Sequence, residues 1–136
     1  PTPRAAPTSQ HHHSVSLVDT SVWVDHLRKG ARGLAELLTA SSVLMHPFVT
    51  GELACGNLRK REQILVLLKN LPHAAIATDD EVLFFIERHT LMGRGLGYVD
   101  VHLLSSAALH GTARLWTRDK RLRAAADSLG LGHARG

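Results

Sequence analysis

The apolar residues of this chain alternate between short compact runs and helical spacing. Val15–Val18 predicts a short buried strand, followed by a helix over Thr20–Arg28. A second short helix is predicted over Leu34–Ala40, then a strand at Val43–Met45. Pro47 suits the first turn of the next helix, which is expected to run through Leu58. In Lys60–Leu71 the residues Ile64, Leu67, Leu68 and Leu71 fall on one stripe, and Pro72 stops the helix. Ala74–Ala77 predicts another strand. Thr78 then caps a helix whose opening residues Asp79, Asp80 and Glu81 complement the helix dipole. Gly93, Gly95 and Gly97 break the chain before a helix over Tyr98–His110, and Ala113–Trp116 reads as the last clear strand. Leu122, Ala125, Ala126 and Leu129 mark a final amphipathic helix at spacings of three and four. Strands alternating with helices argue for an α/β fold with a parallel sheet between helix layers.

Against this pattern Asp19, Glu52, Asp100 and Asp119 stand out. Asp19 and Asp119 each follow a strand and open a helix, and in open α/β sheets function gathers at that end of the strands. Either could equally serve as a helix N-cap, accepting hydrogen bonds from exposed amides. Glu52 shares a helical face with Phe48 and Cys55, and Asp100 precedes a stripe of Leu103, Leu104, Ala107 and Ala108. Carboxylates are rarely buried without a partner. Four of them converging would make an oxygen-rich pocket suited to a hard divalent cation.

The strings VDTSVWVDHL, GELACG, GYVDVHLLSSAALHG and LWTRDKRL resemble, in order and spacing, the successive motifs of PIN-domain nucleases. The nearest resemblance is to VapC-type toxins of bacterial toxin–antitoxin pairs, and it extends from about Val15 to Gly132. It implies a PIN-like three-layer α/β/α fold with a central parallel sheet. It implies a metal-dependent endoribonuclease of a type II toxin–antitoxin system, in which Asp19, Glu52, Asp100 and Asp119 bind Mg²⁺ or Mn²⁺. Thr117 matches a threonine that supports the family's metal site, with Thr20 or Ser21 doing the same beside Asp19. Such an ion activates water for in-line attack at phosphorus. The resemblance also implies a homodimer, held inactive by a cognate VapB-type antitoxin within a larger complex. The acidic pocket suggests that the antitoxin brings an Arg or Lys near Asp19, Glu52 and Asp100. The rest of its segment would lie in a groove that includes the Thr20–Leu27 helix and Trp23.

Charge adds an RNA-facing element. Lys and Arg total 16 against 12 Asp and Glu; setting the four pocket acids aside leaves 8. The remaining surface is therefore basic, which suits a polyanionic substrate. Arg118, Lys120 and Arg121 abut Asp119 and are the expected RNA-binding residues, while Arg59–Arg61 reads equally well as a solvated helix face.

Length sets one domain over residues 15–136 as the expectation. Residues 1–14, rich in Pro, Ala, Thr and Ser up to Gln10 and then carrying His11–His13, read as a flexible extension or an expression remnant. The single cysteine, Cys55, excludes an internal disulfide framework and is expected to be a small buried side chain. No apolar run exceeds five residues, so no membrane span is expected, and a cytoplasmic protein follows.

Other chemistries fit poorly. The GRGLG string at Gly93–Gly97 follows a helix rather than a strand and lacks the dinucleotide fingerprint spacing. A phosphoaspartate enzyme would want an acid at Ser21, and a receiver domain would want an acidic pair closing the first strand. His102 and His110 read as helix-surface or core residues rather than catalytic bases. Two alternatives stay open: a catalytically silent PIN-like binding partner, and a nuclease acting on DNA, since reading the ribose 2′-hydroxyl depends on shape.

Overall fold

The computed structural model describes residues 14–133. The N-terminal extension therefore lies outside the described residues except for Ser14. In chain order the elements are β1 (Val15–Val18), α1 (Thr20–Lys29), α2 (Arg32–Thr39), β2 (Val43–Leu44), α3 (Pro47–Ala54), α4 (Arg61–Asn70), α5 (Asp79–Arg88), α6 (Tyr98–His110), β3 (Ala113–Trp116) and α7 (Lys120–Ser128).

The sheet is parallel, in the order β2-β1-β3. Its register pairs Leu17 with Leu44 on one side and with Leu115 on the other. Leu17, Val18 and Leu115 are buried, as are the helix residues Val22, Leu34, Val49, Leu103, Leu104 and Leu122 that cover the sheet. Burying each such side chain stabilises the fold by about 1.5–3 kcal/mol. This is the expected three-layer arrangement. From β1 the chain runs to β2 on one side, then crosses to β3 on the other. The strand order therefore reverses between β1 and β3, the switch point beyond whose C-terminal strand ends open α/β sheets form their ligand crevice.

The predicted Ala74–Ala77 strand does not form. A single bridge joins Met45 to His73, with Met45 N–H donating to Pro72 O and Ala74 N–H to Met45 O. Pro72 has no N–H to extend a ladder, and β2 offers two residues to pair with. Ala74 and Ala77 are buried without strand pairing. At the opposite edge Leu131–His133 returns to β3 through Leu115, an addition that carries no strand signal in the sequence.

Helix α3 ends at Ala54, four residues before the predicted Leu58. Gly56 follows its C-cap, Cys55, and the Arg61 guanidinium donates to the carbonyls of Ala54 and Gly56 at 2.5 and 3.1 Å. Arg61 thus closes a helix end. Cys55 is exposed, not buried as expected, because it lies past the last turn that packs on the core. Ala108 is likewise exposed, since the buried stripe of α6 stops at Ala107. No helix among the described residues is long and apolar enough to cross a membrane.

Candidate metal centre

Asp19 is the best-anchored of the four acids. It is the N-cap of α1, its own N–H donates to Trp116 O at 2.9 Å, and it is 8% exposed. Oδ1 accepts from Thr20 N–H at 2.8 Å. Oδ2 accepts from the hydroxyls of Thr117 at 2.6 Å and Ser21 at 3.0 Å. The Thr117 hydroxyl oxygen in turn accepts the Asp119 N–H at 3.0 Å, and Ser21 Oγ accepts the Arg118 N–H at 3.0 Å. Threonine and serine hydroxyls therefore lock the loop after β3 to the start of α1. Asp119 caps α7 through Oδ1, which accepts from Leu122 N–H at 3.0 Å. The N-cap reading of both aspartates is correct locally, and it leaves both carboxylates at the mouth of the crevice.

The other two acids arrive from helices. Asp100 lies in the first turn of α6, and its Oδ2 accepts Gly97 N–H at 2.9 Å. Its carboxyl is raised above the ordinary value of 3.8. Burial is the main cause; the Gly97 N–H opposes it, and the charges of Asp19, Asp119 and Glu52 add to it. All three other acids thus act on Asp100, so the quartet shares one local field. Glu52 accepts the Thr20 hydroxyl at 2.5 Å through Oε1. The expected apolar face around Glu52 on α3 is incorrect: Phe48 is 37% exposed, Cys55 and Glu52 are exposed, and Val49 and Leu53 are the buried residues. Glu52 is an open-faced carboxylate, not a buried one in need of neutralising.

Each residue named from the sequence as metal-site support bonds an acid: Thr117 and Ser21 hold Asp19, and Thr20 holds Glu52. Among the described residues no three His, Cys, Asp or Glu side chains stand within ligating reach of one point. The donor set nevertheless fits a hard cation. It is all oxygen, it carries mutual repulsion that a cation relieves, and Glu52 Oε2, Asp100 Oδ1 and Asp119 Oδ2 take no hydrogen bond from the described residues. Glu52 and Asp119 are exposed and can reorient.

The basic rim is less available than its charge count suggests. Arg118 Nε lies 2.6 Å from Asp25 Oδ2, an ion pair with α1 that the sequence does not announce because the partners are 93 positions apart. Arg121 lies along the loop before α6: at Gly95, φ +78°, a Cβ would come within 2.7 Å of Nη1. Glycine there meets both the backbone and the packing requirement. Lys120 is exposed. A groove of about 410 Å³ opens beside Glu52, bounded by Val24, Leu27, Arg28, Leu53 and Ile64. Trp23, expected in such a groove, is 3% exposed and lines a smaller neighbouring hollow of about 260 Å³. His102 is 2% exposed, a core histidine as expected.

A model of the PIN domain matches residues 16–128. The chain belongs to the PIN-domain family. Among its relatives are two proteins called Ribonuclease VapC32 from Mycobacterium tuberculosis, of strains CDC 1551 / Oshkosh and ATCC 25618 / H37Rv. Each is 52% identical over 118 residues, covering 87% of this chain and 95% of the relative.

Proposed function

We infer that this chain is an endoribonuclease toxin of a toxin–antitoxin pair, cutting RNA phosphodiesters with a divalent cation held by Asp19, Glu52, Asp100 and Asp119. The observation that carries this reading is the convergence of the quartet. Thr20 bonds Glu52 next to Asp19, Thr117 joins Asp19 to the Asp119 backbone, and the Asp100 carboxyl on α6 is raised first by its own burial and then by the charges of those three acids. The relatives named as ribonucleases support RNA as the substrate class. When bound, Mg²⁺ or Mn²⁺ supplies water activation and offsets charge developing at phosphorus. The chain's own residues fix the donors. Thr117 and Ser21 hold Asp19, Thr20 aims Glu52, and Gly97 N–H aims Asp100. Lys120 and Arg121 face the RNA backbone, with Arg118 joining them where it leaves Asp25.

Inhibition is proposed to use the groove beside Glu52. An antitoxin segment would bury apolar side chains against Val24, Leu27 and Ile64 and set an Arg or Lys among the acids, competing with the cation. A homodimer is proposed through the exposed Leu83, Phe84 and Leu109 of α5 and α6. The lone cysteine is consistent with the proposed cytoplasmic location. Mapping cleavage ends in total RNA tests the activity. The wild type with Mg²⁺ or Mn²⁺ should give discrete new ends, and both EDTA and Asp19→Asn should remove them. Undiminished cleavage by rigorously metal-free protein would overturn the mechanism.

A further inference from the structure

Beside the acid crevice lies an aromatic corner that the cleavage chemistry leaves unused. Phe48, in the first turn of α3, and Tyr98, at the start of α6, are 37% and 46% exposed. Between them lies the buried His102. Its ring centroid is 4.7 Å from each, with planes at 65° to Phe48 and 88° to Tyr98. The two rings therefore pack edge-to-face on a common floor, which favours one orientation for each. His102 Nε2 lies 3.4 Å from Asp79 Oδ1, yet neither ring nitrogen makes a hydrogen bond among the described residues.

The corner is braced from behind. His46, fully buried, accepts the Phe48 N–H through Nδ1 at 3.0 Å and packs 4.9 Å from its ring. Burial, then the neighbouring His102 and His73, lower its pKa to about 4, so it is neutral and able to accept at pH 7. The Tyr98 hydroxyl donates to Asp79 Oδ1 at 2.8 Å, tying the ring to the start of α5. Phe48 precedes Glu52 by four residues, which puts the two on one face of α3, while Tyr98, two residues before Asp100, turns toward His102 and Asp79 at the start of α6. Phe48 therefore stands on the Glu52 side of α3, and Tyr98 opens the same turn of α6 that carries Asp100. Proteins that grip single-stranded RNA pair a phosphate-binding groove with aromatic faces on which unpaired bases stack.

We propose that Phe48 and Tyr98 form a stacking platform for an unpaired base of the RNA substrate, next to the phosphate presented to the acid quartet. The platform rests on the ribonuclease reading and adds a determinant of which RNA conformations are cut. Strands with a base free to swing out bind, and base-paired RNA is excluded.

The test measures fluorescence anisotropy of labelled single-stranded oligoribonucleotides in an Asp19→Asn background with Mg²⁺, so that the RNA survives. One probe is of mixed sequence; the other has the same length but abasic ribose at its central positions. Tyr98→Leu and Phe48→Leu should each weaken binding of the mixed-sequence probe by roughly tenfold while binding of the abasic probe barely changes. Tyr98→Phe, which keeps the ring, should bind as the parent does. Equal losses on both probes would overturn the platform. No loss on either probe would also overturn it, leaving the rings as a protein-docking surface. Wild-type protein is assayed for cleavage of the same mixed-sequence RNA. If it fails to cut under any metal condition, the nuclease reading itself falls. If it cuts while the ring replacements bind normally, the platform alone is wrong.

Discussion

Asp19 is 8% exposed and receives hydrogen bonds from Thr20 N–H, Ser21 and Thr117 on its two oxygens, whereas Glu52, across the crevice on α3, is exposed and receives one, from Thr20. The β1–β3 side is built from strand ends, whose positions the parallel register fixes, and from hydroxyls packed with them. The α3 side hangs on a helix of eight residues that ends at an exposed Cys55. One side is preorganised and the other adjustable. Preorganised donors lose little entropy when a cation arrives, and an adjustable carboxylate can follow substrate or give way to an inhibitor.

The largest expected effect tests the rigid side. Asp19→Asn and Asp100→Asn should each lower RNA cleavage by at least about 100-fold, more than removal of an outer hydrogen bond at a metal site, with far-ultraviolet circular dichroism unchanged. An unchanged cleavage rate in either variant would remove that residue from the centre. Thr117→Val removes a donor to Asp19 and the acceptor for Asp119 N–H while keeping the shape of the side chain. It should lower activity by roughly 10- to 100-fold. Thr20→Val, on the adjustable side, should have the smaller effect; the reverse order would dissolve the contrast between the two sides.

Stability gives an effect of opposite sign. The folded Asp100 carboxyl is raised above its ordinary value. Its protonated form therefore favours the fold at low pH, and that contribution is lost as pH rises through the folded value. At neutral pH the ionised group, facing three other acids, destabilises the metal-free protein. Asp100→Asn should accordingly raise the melting temperature of metal-free protein at pH 7. The gain should shrink as pH falls through the folded pKa. A lower melting temperature at pH 7 would show that the Gly97 hydrogen bond outweighs the repulsion.

The smallest effect concerns the rim. Replacing Lys120 and Arg121 with Ala should lower the log–log salt slope of RNA binding by roughly 0.7 for each phosphate left without its cationic partner. Adding Arg118→Ala should change it less, because that guanidinium is already paired with Asp25. Salt titrations of the double and triple variants separate the two.

Much of this architecture is legible in the chain because the strongest signals are local. Glycines before Tyr98 and after His110 bound α6, and β3 matches its predicted bounds to the residue. The missing Ala74–Ala77 strand shows the converse, since a short apolar run carries no record of whether a neighbouring strand has amides left to pair. Two acids at strand-to-helix junctions can be placed from sequence, because a strand end fixes where its next residue points. The face of Glu52 cannot: Phe48 and Cys55 read as apolar, yet both are exposed. The Arg118–Asp25 pair is invisible for a related reason, since it exists only once β3 lies beside β1.

Whether the four acids act as one metal centre is tested most directly by calorimetric titration of Mn²⁺ into wild-type protein and into Asp19→Asn, Glu52→Gln, Asp100→Asn and Asp119→Asn. Binding should be saturable in the wild type, weakest in Asp19→Asn and Asp100→Asn, and least affected in Glu52→Gln, in step with each variant's loss of cleavage. Equal Mn²⁺ affinity in all five proteins would contradict a shared centre.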